Sequence, residues 1–144
     1  MWFTEENDLT GDAIASMTTD GEYARFPLPS RDAGPNRITA GPDNALWFTT
    51  FAGPIGRVTA DGAISEFPLP AGTHAFDITS GVDGALWFTT DQRSVGSVTT
   101  AGKVTLHPVK GANRLIGIAS APDGTHWLAD GEADTVWHFT PPGR

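Results

Sequence analysis

Tryptophan recurs at Trp2, Trp47, Trp87 and Trp127, spaced 45, 40 and 40 residues apart, and its neighbours recur with it. The four settings are Trp2-Phe3-Thr4-Glu5, Leu46-Trp47-Phe48-Thr49-Thr50, Leu86-Trp87-Phe88-Thr89-Thr90 and His126-Trp127-Leu128-Ala129-Asp130. Three further patterns keep the period. Gly41-Pro42-Asp43-Asn44, Gly81-Val82-Asp83-Gly84 and Ala121-Pro122-Asp123-Gly124 precede a tryptophan. Ile14-Ala15-Ser16-Met17-Thr18, Ile55-Gly56-Arg57-Val58-Thr59, Val95-Gly96-Ser97-Val98-Thr99 and Val136-Trp137-His138-Phe139-Thr140 follow one. Arg25-Phe26-Pro27-Leu28-Pro29, Glu66-Phe67-Pro68-Leu69-Pro70 and Leu106-His107-Pro108-Val109 come last. A period near 40 means that each unit is one module, burying its apolar surface on the modules beside it.

Each unit holds four short apolar runs parted by turn pairs. Asp20-Gly21, Asp43-Asn44, Asp61-Gly62, Asp83-Gly84 and Asp123-Gly124 are hairpin signals between β-branched or aromatic runs. Helix-pair repeats share this period, but Gly, Pro and Thr stand inside nearly every run here and disfavour helix. Seventeen glycines and eleven prolines in 144 residues fit the same reading. The expected fold class is therefore all-β: a β-propeller of four-stranded antiparallel blades. With strands named a to d from the inside outward, strand a falls at 37–40, 77–80 and 117–120. Strand b carries the tryptophan, c the Ile/Val run and d the Phe-Pro run. Proline after d suits an outer edge, where not every N–H is needed. The chain reads bcd, abcd, abcd, abc: about three and a half blades in one partial propeller domain, with pieces 1–30, 31–70, 71–110 and 111–144.

Charge and composition exclude several partners. Nine Lys+Arg against 17 Asp+Glu give a net charge of −8, which argues against nucleic acid and anionic membrane surfaces. No cysteine is present, so there is no disulfide, no thiolate metal ligand and no thiol nucleophile. No run approaches the roughly 18 apolar residues of a membrane helix. The start, Met1-Trp2-Phe3-Thr4-Glu5-Glu6, lacks the basic and apolar regions of an export signal, so a cytoplasmic location is expected. Nucleophile-elbow, phosphate-loop and dinucleotide motifs are absent.

The four tryptophans read as blade packing. Trp137 breaks the repeat, standing where Gly56 and Gly96 stand, and is expected to cover an exposed blade face. The Asp-Gly pairs read as turn chemistry rather than calcium sites. His107, His126 and His138 replace Phe67, Leu86 and Arg57, which makes them strand variants. His74 lies in the loop before a strand a, at one mouth of the central channel, where propellers usually hold ligands. His74 and Asp77 are the best-placed polar pair. Asp130, Glu132 and Asp134 cluster near the end and are candidates for a divalent ion, the other reading being a solvated acidic loop. No catalytic constellation emerges from the residues.

The unit Ile38-Thr39-Ala40-Gly41-Pro42-Asp43-Asn44-Ala45-Leu46-Trp47-Phe48-Thr49, with Ile55-Gly56-Arg57-Val58-Thr59-Ala60-Asp61-Gly62 and Ile64-Ser65-Glu66-Phe67-Pro68-Leu69-Pro70, resembles the repeat of the streptogramin B (virginiamycin B) lyases. These are seven-bladed β-propellers. The resemblance implies a magnesium-assisted C–O elimination that opens the ester of a cyclic depsipeptide antibiotic, a small-molecule substrate, without water. It places Ile116 of Arg114-Leu115-Ile116-Gly117-Ile118 in the slot of the catalytic histidine. Arg114 takes the slot of a metal-binding glutamate, and Phe76 that of a substrate-contacting histidine. The second metal glutamate meets Asp130-Gly131-Glu132. The resulting expectation is that no residue fills the catalytic slot, that His74, Asp77 and Arg114 contact substrate, and that Asp130 and Glu132 are the acids left for Mg2+. Three functions compete: a lyase using His74 as a repositioned base with metal on Asp130 and Glu132, a non-catalytic ligand- or partner-binding propeller fragment, or a structural remnant with no activity of its own. The resemblance also makes the chain look like the C-terminal half of a ring whose N-terminal half is missing. Open blade faces and strand edges then predict self-association or poor stability alone.

Overall fold

The structure, a computed structural model, describes residues 1–6, 11–51 and 53–143. Among these residues there are fourteen strands in four antiparallel sheets, and no helix. Sheet 1 holds β1 (Trp2–Glu5), β2 (Ala13–Met17) and β3 (Tyr23–Pro27). Sheet 2 holds β4 (Pro35–Ala40), β5 (Leu46–Thr50), β6 (Ile55–Val58) and β7 (Ile64–Phe67). Sheet 3 holds β8 (Ala75–Ser80), β9 (Ala85–Thr90), β10 (Ser94–Thr99) and β11 (Val104–Pro108). Sheet 4 holds β12 (Leu115–Ser120), β13 (His126–Asp130) and β14 (Thr135–Phe139). Strands are neighbours in chain order in every sheet, and β4, β8 and β12 adjoin along the inner edge. These are the blades of a β-propeller, and the four sheets do not close a ring.

Two alternating faces hold the blades together. In a strand, successive side chains point to opposite sides. Trp47 therefore reaches forward to Ala75, Ile78 and Leu86 of sheet 3, and Trp87 forward to Leu115 and Leu128 of sheet 4. Phe48, one residue on, packs backward with Ile14 of sheet 1. Both large rings in one strand need room across the ladder. Phe48 pairs with Gly56 and Phe88 with Gly96, and a Cβ on either glycine would lie 2.0 or 2.1 Å from the ring tip. Sheet 4 fills the same space in the opposite way. Leu128 pairs with Trp137, a smaller residue beside a larger one. Trp137 thus packs inward on the sheet 3 interface and donates Nε1–H to Asp130 at 3.2 Å. The expectation that it covers an exposed face is corrected: that face carries Trp127.

The aspartates before Trp47 and Trp87 do more than turn the chain. Asp43 accepts the indole N–H of Trp47 at 3.0 Å and the Arg57 Nε–H at 2.7 Å. Asp83 accepts the indole N–H of Trp87. A buried indole donor left unpaired would cost about 1–3 kcal/mol, so the turns at Asp43-Asn44 and Asp83-Gly84 each form one unit with their tryptophan. Three of the tryptophans also lie against a ring of their own strand d: Trp2 stacks on Phe26 at 5.3 Å and Trp47 on Phe67 at 5.2 Å, and Trp87 meets a tilted His107 ring at 5.2 Å. His107 and the buried His126 flank Trp87, with Ser97 Oγ and Ser120 Oγ on their ring nitrogens. They are structural, as their positions in the repeat suggest. His138 lies exposed against Trp127.

Two tests follow from this packing. Trp87→Ala should cost about 3–5 kcal/mol in urea unfolding, because the hole opens between two sheets that cannot collapse on it. Burial holds the His107 pKa below its ordinary value. The unfolded chain therefore binds this proton more readily, so stability falls as the pH drops below about 6.5 and levels off beneath the folded-state value. Melting curves between pH 8 and 5 should show this loss in the native chain, and His107→Phe should shrink it.

Candidate functional site

The inner strands each start with an irregularity. Register shifts lie between Pro35 and Ile38, Ala75 and Ile78, and Leu115 and Gly117. A bulge re-aims side chains at a sheet edge, and here it does so on the face that the loops into β4, β8 and β12 share. The residues it presents are Asn36 and Arg37, Phe76 and Asp77, and Ile116.

Most of the polar groups at these bulges bind neighbouring blades. Asn36 Nδ2–H and Thr49 Oγ1–H both donate to the Phe76 carbonyl at 2.9 Å. Thr4 donates to the Asn36 carbonyl at 3.2 Å. Asp77 accepts the Ile78 N–H at 2.9 Å and, across the blade boundary, the Ile118 N–H at 3.0 Å. Asp77 is thus a clamp between β8 and β12. Its partner is backbone, and His74 turns elsewhere.

His74 pairs with Asp91, a residue the sequence reading missed. Its Nδ1 lies 2.6 Å from Asp91 Oδ2, its backbone N–H donates to Asp91 Oδ1 at 2.8 Å, and the Asp91 N–H returns a bond to the His74 carbonyl at 3.1 Å. One bond holds the ring and two backbone bonds hold the loop that carries it, and 48% of the side chain stays exposed. With Nδ1 on a carboxylate, Nε2 is the ring nitrogen left for another partner. A usable signal was present: Asp91 directly follows the Trp-Phe-Thr-Thr run, and loops after strand b emerge on the same face as loops before strand a. Beside His74 opens a cleft of about 470 Å³, lined by Ser30, Pro54, Glu66, Leu69 and Thr73 among others. Glu66 accepts from Ser30 Oγ at 2.7 Å at its far side. That volume is in the range of ligand pockets.

Arg114 lays its guanidinium 5.2 Å from the centre of the Phe76 ring, joining sheets 3 and 4 on this same face. Ile116 is exposed and lies over Gly131, where a Cβ would come within 2.7 Å of its Cδ1. It carries no titratable atom.

Asp130 is committed to the chain. It is buried, and its carboxylate accepts five hydrogen bonds: the N–H groups of Asn113 at 2.8 Å, Arg114 at 3.0 Å, and Glu132 and Ala133 at 3.2 Å, and the indole of Trp137 at 3.2 Å. The bond from Asn113, with the others, holds its pKa well below the usual carboxylate range. Glu132 is exposed, and Arg114 puts a cation where the resemblance implies a metal ligand. Among the described residues no three His, Cys, Asp or Glu side chains converge as a metal site. An oxygen-loving ion such as Mg2+ needs free carboxylate oxygens, and this donor set does not fit it.

A β-propeller with a histidine–carboxylate pair and a cleft on the face of its inner-strand loops belongs to a class with many functions. Sequence comparison narrows it: the chain belongs to the virginiamycin B lyase family, whose profile matches residues 1–144. A virginiamycin B lyase from Nocardia farcinica is 38% identical over 60 residues, covering 42% of this chain and 22% of that protein. A solved streptogramin B lyase superposes with a TM-score of 0.82 at 32% identity, over 99% of this chain and 51% of that one. Catalytically inactive virginiamycin B lyase from Staphylococcus aureus, solved with quinupristin, gives a TM-score of 0.78 at 31% identity, over 92% of this chain and 50% of that one. The chain spans about half the length of the solved lyases it matches.

If Asp130 serves the backbone, removing it loosens the loop and magnesium changes nothing. Asp130→Ala should lower the melting temperature. Stability of the native chain should decline as the pH falls below about 4, because the unfolded carboxyl takes up a proton that the folded one resists. EDTA or millimolar Mg2+ should leave the melting temperature of the native chain unchanged.

Proposed function

We propose that this chain acts on a cyclic depsipeptide of the type B streptogramin class by C–O elimination, with His74 as the base. The observation that supports this reading is the His74–Asp91 pair beside a ligand-sized cleft, in a chain whose whole length matches the lyase family. Nε2 of His74 takes a proton from the carbon next to the one bearing the ester oxygen. A C=C bond forms, the C–O bond breaks, and the departing carboxylate keeps the electron pair. Asp91 holds the ring and offsets the imidazolium charge as it forms. Arg114, on Phe76 two residues along β8, offers a cation to the departing carboxylate. The cleft walls Pro54 and Leu69 take the apolar body of the ring. No step passes through a metal ion.

A second reading keeps the ligand and drops the ring opening. Ile116 stands where the resemblance implies the base, and Asp130 has no spare oxygen, which suits binding of the same ligand without ring opening. The assay is mass spectrometry of a type B streptogramin incubated with the chain, alongside calorimetric binding. Ring opening that falls about 100-fold or more in His74→Ala, with binding kept, supports the lyase. Binding without ring opening supports the second reading. Absence of both rejects the ligand class.

A further inference from the structure

The slot that Glu66 fills differs from blade to blade. Strand pairing sets Arg25 opposite Ala15, Glu66 opposite Gly56 and Leu106 opposite Gly96, so the three hold one position in successive strands d. Arg25 and Leu106 find partners within the protein. Arg25 pairs with Glu5 at 2.6 Å, and Leu106 packs into the core between sheets 2 and 3. Glu66 has no such partner. The ion pairs among the described residues are Arg25–Glu5, Arg57–Asp43 and His74–Asp91, and Glu66 enters none of them.

Its carboxylate is held in place without being used up. Ser30 donates Oγ–H to Oε2 at 2.7 Å and N–H to Oε1 at 3.3 Å. A carboxylate offers about four acceptor sites, so each oxygen keeps one. The group is half-buried in the wall of the same cleft of about 470 Å³ that His74 lines. Pro54, Pro68, Leu69 and Pro70 set apolar surface around that cleft. A single charged group among apolar walls is how ligand pockets fix orientation and select. The net charge of −8 attracts cations over a longer range and repels anions.

We propose that Glu66 is a specificity-determining residue that takes a protonated alkylamine on the ligand of this cleft. The assignment deepens the proposed function and rests on its reading of the cleft as the ligand site. The ammonium N–H donates to the acceptor sites that Ser30 leaves on Oε1 and Oε2, and the alkyl groups lie on proline and leucine. A tertiary amine fits best, because it brings one charged donor on an apolar body. Ser30 holds the carboxylate in position before the ligand arrives, which spares part of the ordering cost of binding.

The test is calorimetric titration of the native chain with two type B streptogramins that differ only in a tertiary amine on one side chain. The amine-bearing ligand is expected to bind about tenfold more tightly, the effect of one charge-assisted hydrogen bond in a half-buried site. In Glu66→Gln, which keeps an acceptor for Ser30 Oγ, that ratio should fall to about one, with circular dichroism checking the fold. The ligand pair on the native chain keeps the test decisive where the variant misfolds. Equal binding of both ligands by the native chain, or a preference that survives in Glu66→Gln, overturns the Glu66 assignment and leaves the ligand class standing. A native chain that binds neither ligand rejects the ligand class and the assignment together.

Discussion

Everything in this chain depends on a tryptophan seated between two sheets. A single four-stranded sheet has two apolar faces and cannot bury either alone. The repeat answers this by sending adjacent residues of one strand, Trp47 and Phe48, to opposite neighbours. The rest of each unit follows from that choice. Glycine at Gly56 and Gly96 yields space to the phenylalanine ring, Asp43 and Asp83 satisfy the indole N–H, and Phe26 and Phe67 cover the indole face. Sheet 4 shows that the constraint is one of volume rather than residue identity, because Leu128 and Trp137 fill the space that Phe88 and Gly96 fill one unit earlier.

The same requirement decides which polar groups are left for chemistry. Blades joined only by apolar faces could slide over one another. The bulged starts of the inner strands prevent this with directional bonds, and Asn36, Thr49 and Asp77 are consumed in making them. Asp130 is consumed inside sheet 4, where it holds the loop into β12 and the turn after β13. A carboxylate that accepts several backbone N–H bonds is a strong acid and a poor ligand. His74 differs because one side of its ring is fixed by Asp91 and the other meets solvent beside a cleft.

The fold was legible in the sequence because the repeat wrote it four times. Spacing gave the number of strands, their order in each sheet, and the 3-4-4-3 grouping. It missed the first residues of β4, β8 and β12, since a bulge breaks the alternation on which strand patterns rest. The candidate site was less legible for a related reason. A repeat reports what every blade shares, and a site is built from what one blade does differently. His74 stood out by its place in the loop before a strand a, and Arg114 and Ile116 by the slots that the resemblance gives them. Their partners did not: Asp91 lies 17 residues beyond His74, and the Phe76 ring reaches Arg114 only because β8 and β12 adjoin. Trp137 was noticed as a departure, but its direction was misjudged. Only the pairing of Leu128 with Trp137 reveals which face it serves.

The two outer faces of the sheet stack are not equivalent. The free face of sheet 1 is covered by its own polar network. Glu5 binds Arg25 at 2.6 Å and accepts the Tyr23 hydroxyl at 2.9 Å, and Ala13 and Ala15 lie buried beneath. The free face of sheet 4 has no such cover. It presents an indole, a valine and an unpaired strand edge together, with Ala119 and Ala129 beside them. These are opposite sides of the repeat unit: sheet 1 exposes the side that sheets 2 and 3 turn to the preceding sheet, and sheet 4 the side that they turn to the next. On sheets 2 and 3 the corresponding Trp47 and Trp87 are buried, so the exposed Trp127 shows that an indole of this repeat owes its cover to the neighbouring sheet and to the ring of a strand d rather than to its own strand.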